Sequence, residues 1–147
     1  MSVHFRVETV STLPPEELFR RSLSVDAHVA SMAGSGERAV GGVLTGQIGE
    51  GQTVTWQARH FGVRIRMTSL VSEVEEPVRF VDHQVQGPFK AFRHVHTFEP
   101  HESGTLMVDA ISFTAPFGPL GRLVERLFLG AYMHRLIVQR NEYLNRG

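Results

Sequence analysis

Period-two alternation of apolar and polar side chains fills most of the chain between Arg38 and Ala115, and it constrains the fold more than any other feature. A strand of this kind has one face to bury, so a succession of them requires a sheet with something packed against one side. The pattern divides into six segments, Ala39 to Thr45, Thr53 to His60, Val63 to Glu75, Val78 to Gln86, Ala91 to Glu99 and Thr105 to Ala115. Turn residues separate them: Gly49-Glu50-Gly51, Phe61-Gly62, Pro77, Gly87-Pro88 and the stretch Pro100 to Gly104.

A seventh strand precedes these, with Val3, Phe5, Val7 and Thr9 alternating against His4, Arg6 and Glu8 until Leu13-Pro14-Pro15 ends it. Two short helices follow. The first begins at the prolines with Glu16 and Glu17 in its opening turn, where carboxylates complement the helix dipole, and runs to about Ser22. The second is capped by Ser24 and broken by Gly34-Ser35-Gly36. After Pro116-Phe117-Gly118-Pro119 a long helix is predicted to about Leu144. One apolar stripe runs through Leu120, Leu123, Val124, Leu127, Phe128 and Ala131, and a second through Leu129, Tyr132, Met133, Leu136, Ile137 and Leu144. Such a helix spans about 40 Å at 1.5 Å per residue, enough to cross a small sheet. The expectation is one α+β domain over residues 1–147, a seven-stranded curved antiparallel sheet wrapped around a long C-terminal helix.

Composition excludes several function classes. The 15 Lys and Arg balance 15 Asp and Glu, which argues against a nucleic-acid partner and against a polybasic membrane anchor. Zero cysteine removes disulfides, thiolate nucleophiles and cysteine-ligated metals. No Gly-X-Ser-X-Gly elbow is present, and the glycines between Gly34 and Gly51 lack the lysine and spacing of a phosphate loop; they read as turns and bulges in a bent sheet. The start, MSVHFRVETV, has no basic region followed by an apolar core, and no later apolar run is long enough to span a membrane. A cytoplasmic protein without stable membrane insertion is expected; oligomeric state is not fixed, and a homodimer stays open.

The order of elements, together with Thr55-Trp56-Gln57-Ala58-Arg59-His60-Phe61-Gly62, Arg79 to Phe89, Phe92 to Glu99, Gly104 to Asp109 and Pro116 to Gly121, resembles the helix-grip superfamily of START lipid-transfer domains, birch-pollen-allergen-like proteins and small bacterial polyketide cyclase/dehydrase-like proteins (SRPBCC). The resemblance covers the whole chain and implies a tunnel between sheet and C-terminal helix that holds a hydrophobic or amphipathic molecule, such as a lipid, an isoprenoid or a polyketide. Fold likeness leaves the activity open.

His94 and His96, two apart on a strand, point to one face, which they share with Phe92 and Phe98. Two imidazoles in an aromatic interior are costly unless paired. A four-residue loop over Pro100 to Ser103 would set His94 opposite Asp109 and His96 opposite Met107, while a change of one residue would flip the faces. Asp82 and Gln84 join the same interior if the Gly87-Pro88-Phe89 turn has three residues; with two, His83 takes their place. The candidate ligand-binding residues are Trp56, His60, Met67, Asp82, Gln84, Phe92, His94, His96, Met107, Asp109, Leu127 and Ala131. His94 backed by Asp109 is the candidate acid/base pair of a cyclase or dehydratase. A buried pair that only fixes strand register is the competing account, and a regulatory or assembly role is a third. His-X-His with Asp109 or His60 has the composition of a zinc site, but spacing alone is weak, so neither metal nor cofactor is assigned. His4, His28, His101 and His134 are expected to face away from the interior.

Overall fold

A computed structural model of the chain describes residues 2–124 and 128–146. Strand β1 (Val3–Ser11) is followed by helices α1 (Pro15–Ser22) and α2 (Val25–Ser31) and a short 3-10 turn. The strands β2 (Arg38–Gly42), β3 (Thr53–His60), β4 (Val63–Glu75), β5 (Arg79–Gln86), β6 (Ala91–His101) and β7 (Gly104–Thr114) come next, then helices α3 (Gly118–Val124) and α4 (Gly130–Leu144). The seven strands form one antiparallel sheet in the order β1-β7-β6-β5-β4-β3-β2, so only β1 leaves its sequence neighbour, pairing instead with β7. This is the expected helix-grip architecture.

Local sequence accounts for the short helices. Glu17 in the first turn of α1 accepts a bond from Arg21 at 2.9 Å and pairs with Arg20, and the Ser24 hydroxyl caps α2 by accepting from the Ala27 amide at 3.1 Å. Strand β2 is shorter than its pattern suggests. A bulge between Ala39 and Gly41 bends it, and Gly42 takes φ +67°. A Cβ at Gly42 would lie 2.1 Å from the Thr53 carbonyl oxygen, so the close approach of β2 to β3 requires glycine there. Further irregularities interrupt the β4–β5 pairing after Thr68 and after Ser72.

Two registers depend on turn length. The β5–β6 pairing sets Asp82 opposite His94, as the three-residue turn requires, and His83 opposite Arg93 on the other face. The β6–β7 loop is tighter than expected: pairing continues to His101 and Gly104, and only Glu102 and Ser103 form the turn. This slides the register by two, so His96 stands opposite Asp109 and His94 opposite Ile111, not the predicted partners. A slip of two preserves the faces, and the interior set survives.

The core has two clusters. Leu18 and Phe19 of α1 pack with Phe80, Phe98, Met107 and Leu144, while Val7, Phe92, Ile111, Phe113 and Ile137 form the other. The two stripes predicted on the C-terminal segment have different fates. Leu120, Leu123 and Phe128 of the first are exposed, whereas Ile137 and Leu144 of the second are buried. The continuity of that predicted helix and the position of Leu127 fall on residues 125–127, outside the described residues. Phe98 meets Phe19 edge-on, with centroids 5.3 Å apart. Phe98→Ala is expected to cost about 3–5 kcal/mol in denaturant unfolding, while Leu123→Ala at the exposed stripe should change stability by less than about 0.5 kcal/mol.

Candidate functional site

The site is built around the middle of β6, where alternation sends His94 and His96 to the concave face. Each neighbouring strand adds a carboxylate: Asp82 from β5 across from His94, and Asp109 from β7 across from His96. Helix α4 closes over them with Arg140 and Asn141, both buried. His94 Nε2 donates to Asp109 Oδ1 at 2.7 Å, and His96 Nε2 donates to Asp82 Oδ2 at 2.5 Å. Asn141 Nδ2 donates to Asp109 Oδ2 at 2.7 Å, while Arg140 Nη1 reaches Asp109 Oδ1 at 3.4 Å and Asn141 Oδ1 at 2.9 Å. The imidazoles stack with centroids 3.6 Å apart, and Phe80 continues the stack on His96 at 4.0 Å.

An ionised Asp109 can only accept, so His94 carries its proton on Nε2 and turns Nδ1 toward Asp82 Oδ2, 3.9 Å away. Burial pushes His94 down to about 4, helped by the neighbouring His96 and opposed by Asp109 and Asp82. Burial alone would raise Asp82, but the hydrogen bond from His96 and the charges of His96, His94 and Arg140 outweigh it and hold the group at about 2. Asp109 is likewise kept well below the ordinary carboxylate range, its burial outweighed by bonds from His94 and His96 and the nearby guanidinium. At neutral pH the cluster therefore holds two carboxylates and a neutral His94.

Above this floor lies a cavity of about 210 Å³ between the sheet and α4. Its walls are largely apolar, with Val54, Ala58, Ile65, Met67, Phe92, Leu136 and Ile137 among them. Asp82, His94, His96 and Arg140 supply the polar patch, and Ser69 adds a buried hydroxyl that has no hydrogen-bond partner among the described residues. At the rim, His60 Nδ1 and the Tyr132 hydroxyl are 2.5 Å apart, and the exposed Phe61 ring packs on Tyr132 at 4.6 Å.

Of the residues expected around a ligand, Trp56, His60, Met67, Asp82, Phe92, His94 and His96 line the cavity. Others do not. Met107 is fully buried in the core, and Asp109 lies behind the imidazoles under Arg140 and Asn141. Gln84 is consumed by its own turn, donating to the Phe89 carbonyl at 2.8 Å and accepting from the Phe89 amide at 3.2 Å. Ala131 is exposed because it sits about half a helical turn away from Met133, Leu136, Ile137 and Arg140, which face inward. His60 ties the β3–β4 hairpin to α4 instead of joining the histidine cluster. His28, expected to face away, lines the cavity: α2 folds over the sheet, its imidazole stacks on Trp56 at 4.1 Å, and Nε2 contacts Glu37 at 2.6 Å. Sequence reasoning also missed Arg140 and Asn141. Their signal was positional, since Met133, Ile137, Arg140 and Leu144 follow helical spacing and place a guanidinium within an apolar stripe.

The depressed His94 makes a stability prediction with a definite sign. Unfolded histidine takes a proton near 6.5, but folded His94 resists until about 4, so stability should fall as pH drops through that window. The carboxylates act in the same direction only below about 3.8, where Asp82 holds off its proton until about 2. Charged or titratable groups facing His94 come from every packed element: Asp82, His96, Asp109 and Arg140. His94→Gln should flatten the slope of unfolding free energy between pH 6.5 and 4, read by denaturant titration; an unchanged slope would contradict the assignment.

No protein-family model matches the chain, and no curated protein matches it either. Solved structures do. TTHA0849 from Thermus thermophilus is 18% identical with a TM-score of 0.76, and the match covers 97% of each chain. Ara h 8.0201 is 15% identical with a TM-score of 0.65 over 99% of this chain and 100% of that one. The di-domain ARO/CYC StfQ from the steffimycin biosynthetic pathway is 11% identical with a TM-score of 0.76, over 99% of this chain and 50% of that one. Among the described residues no helix is long and apolar enough to cross a membrane. At these identities the likeness defines architecture, and the chain has the helix-grip, birch-pollen-allergen-like fold.

Proposed function

We propose that this protein binds a hydrophobic or amphipathic small molecule in the cavity between sheet and α4, with the apolar body against Trp56, Met67 and Leu136 and a polar group at the floor. The observation that carries this reading is the cavity itself, a largely apolar space of about 210 Å³ whose lining includes the polar group of Asp82, His94, His96 and Arg140. The Ser69 hydroxyl, without a partner among the described residues, supports it, because such a buried polar atom is uncommon unless a water or guest completes it. A lipid, an isoprenoid fragment or a polycyclic phenol would meet these requirements.

A second reading is proton transfer on such a guest. His94 oriented by Asp109 through Nε2, with Nδ1 toward the cavity side, has the arrangement of a general base held by a carboxylate, and one structural relative carries the name ARO/CYC. Asp82, not Asp109, is the carboxylate on the cavity wall in this scheme.

Trp56 is the single tryptophan and lines the cavity, so its fluorescence reports occupancy directly. Delipidated protein titrated with fatty acids, terpenoids and polycyclic phenols should show a saturable change in emission and a rise in Tm for at least one class; no response across the panel would sink the reading. Ser69→Ala should weaken a hydroxyl-bearing ligand about two- to tenfold and leave the unliganded protein at least as stable.

A further inference from the structure

We propose that Asp82, His94 and His96 form a binding site for a first-row divalent cation, with Asp109 orienting the imidazoles from behind. The three side chains offer one carboxylate oxygen and two ring nitrogens within 4.8 Å of one another. Asp82 Oδ2 is 2.5 Å from His96 Nε2 and 3.9 Å from His94 Nδ1. Metal bonds of about 2.0–2.2 Å put ligand atoms on one ion roughly 3–4 Å apart. Insertion of an ion therefore needs a widening of the Asp82–His96 contact and a splaying of the stacked imidazoles, so that His94 Nδ1 and His96 Nε2 converge.

The rear nitrogens strengthen the case. A histidine that coordinates through one nitrogen must donate from the other, and a carboxylate is a common partner for that proton. Here one carboxylate serves both rings: His94 Nε2 donates to Asp109 Oδ1 at 2.7 Å, and His96 Nδ1 stands 3.4 Å from the same atom. With Nε2 given to the metal, His96 carries its proton on Nδ1 toward Asp109, and Arg140 Nη2, 3.5 Å from that nitrogen, must turn aside. Arg140 Nη1 and Asn141 Nδ2 already satisfy Asp109, so this oxyanion is fixed before any ion arrives.

Charge points the same way. Two carboxylates, Asp82 and Asp109, flank the imidazoles, and a divalent cation is attracted to both. One oxygen and two nitrogens suit zinc, cobalt(II) or iron(II) better than magnesium or calcium, which prefer all-oxygen sites. Three protein ligands leave at least one coordination position, and Asp82, His94 and His96 all line the cavity. That position would take water or an oxygen atom of a guest. The cation site stands independently of the apolar-ligand reading, because its ligands and their orientation come from the protein alone.

The test is titration of chelator-stripped protein with Co(II) and Zn(II), followed by visible d–d absorption and calorimetry. Saturation at one equivalent with an apparent Kd of about 10 µM or tighter is expected. Asp82→Asn should weaken binding at least tenfold, and Asp109→Asn about tenfold to a hundredfold, while His101→Ala, at the exposed end of β6, should leave it unchanged. No saturable binding up to about 1 mM would overturn the proposal, as would folded Asp82→Asn protein with wild-type affinity. If the variants fail to fold, the wild type decides: paramagnetic Co(II) must perturb NMR signals of Phe80 and Ile137 at the cavity floor, and perturbation confined to His101 and His134 refutes the site.

Discussion

A carboxylate with no exposed surface, Asp109, sets the conditions for the rest of the molecule. Removing such a charge from water is costly unless donors surround it. The donors come from His94 on β6 and from Arg140 and Asn141 on α4, and Asn141 also reaches Thr9 on β1. Strand β6 and helix α4 thus converge on one side chain of β7, and Asn141 links that cluster to β1. The rotation of α4 about its axis is fixed by this requirement as well as by Ile137 and Leu144, because turning the helix would leave Asp109 without two of its partners.

That arrangement also shapes what the cavity presents. Asp109 engages His94 through Nε2, so the imidazole stack offers its other edge toward Asp82. The result is a polar floor of fixed orientation beneath apolar walls, with the carboxylate that has the strongest demand for partners hidden behind it. Groups held in this way keep one orientation without the help of a further partner. At the opposite end, the His60–Tyr132 contact and the exposed Phe61 join the hairpin to the helix at the rim.

The fold was legible because its signals are local. Alternation along β6 assigned Phe92, His94, His96 and Phe98 to one face, and all are buried. The Ser24 cap and the acidic first turn of α1 likewise depend on residues a few positions apart. Turn length was the weak point, and the β6–β7 hairpin came out two residues tighter; the even slip exchanged partners along the ladder yet kept every side chain on its side. His28 and Ala131 were misplaced for another reason: each lies on a helix, and the face a helix buries depends on what it docks against.

The sequence by itself determined a seven-stranded antiparallel sheet, its inward-facing residues and the presence of two histidines in an apolar interior, since periods of 2 and 3.6 are properties of the local backbone. Only the tertiary structure decided which carboxylate each histidine meets, that Arg140 and Asn141 complete the cluster, and that Ser69 faces a cavity without a partner among the described residues. Those outcomes depend on strand register and on the position of α4 over the sheet. Both are set by contacts between residues dozens of positions apart, such as Asp109 with Arg140, which no local pattern encodes.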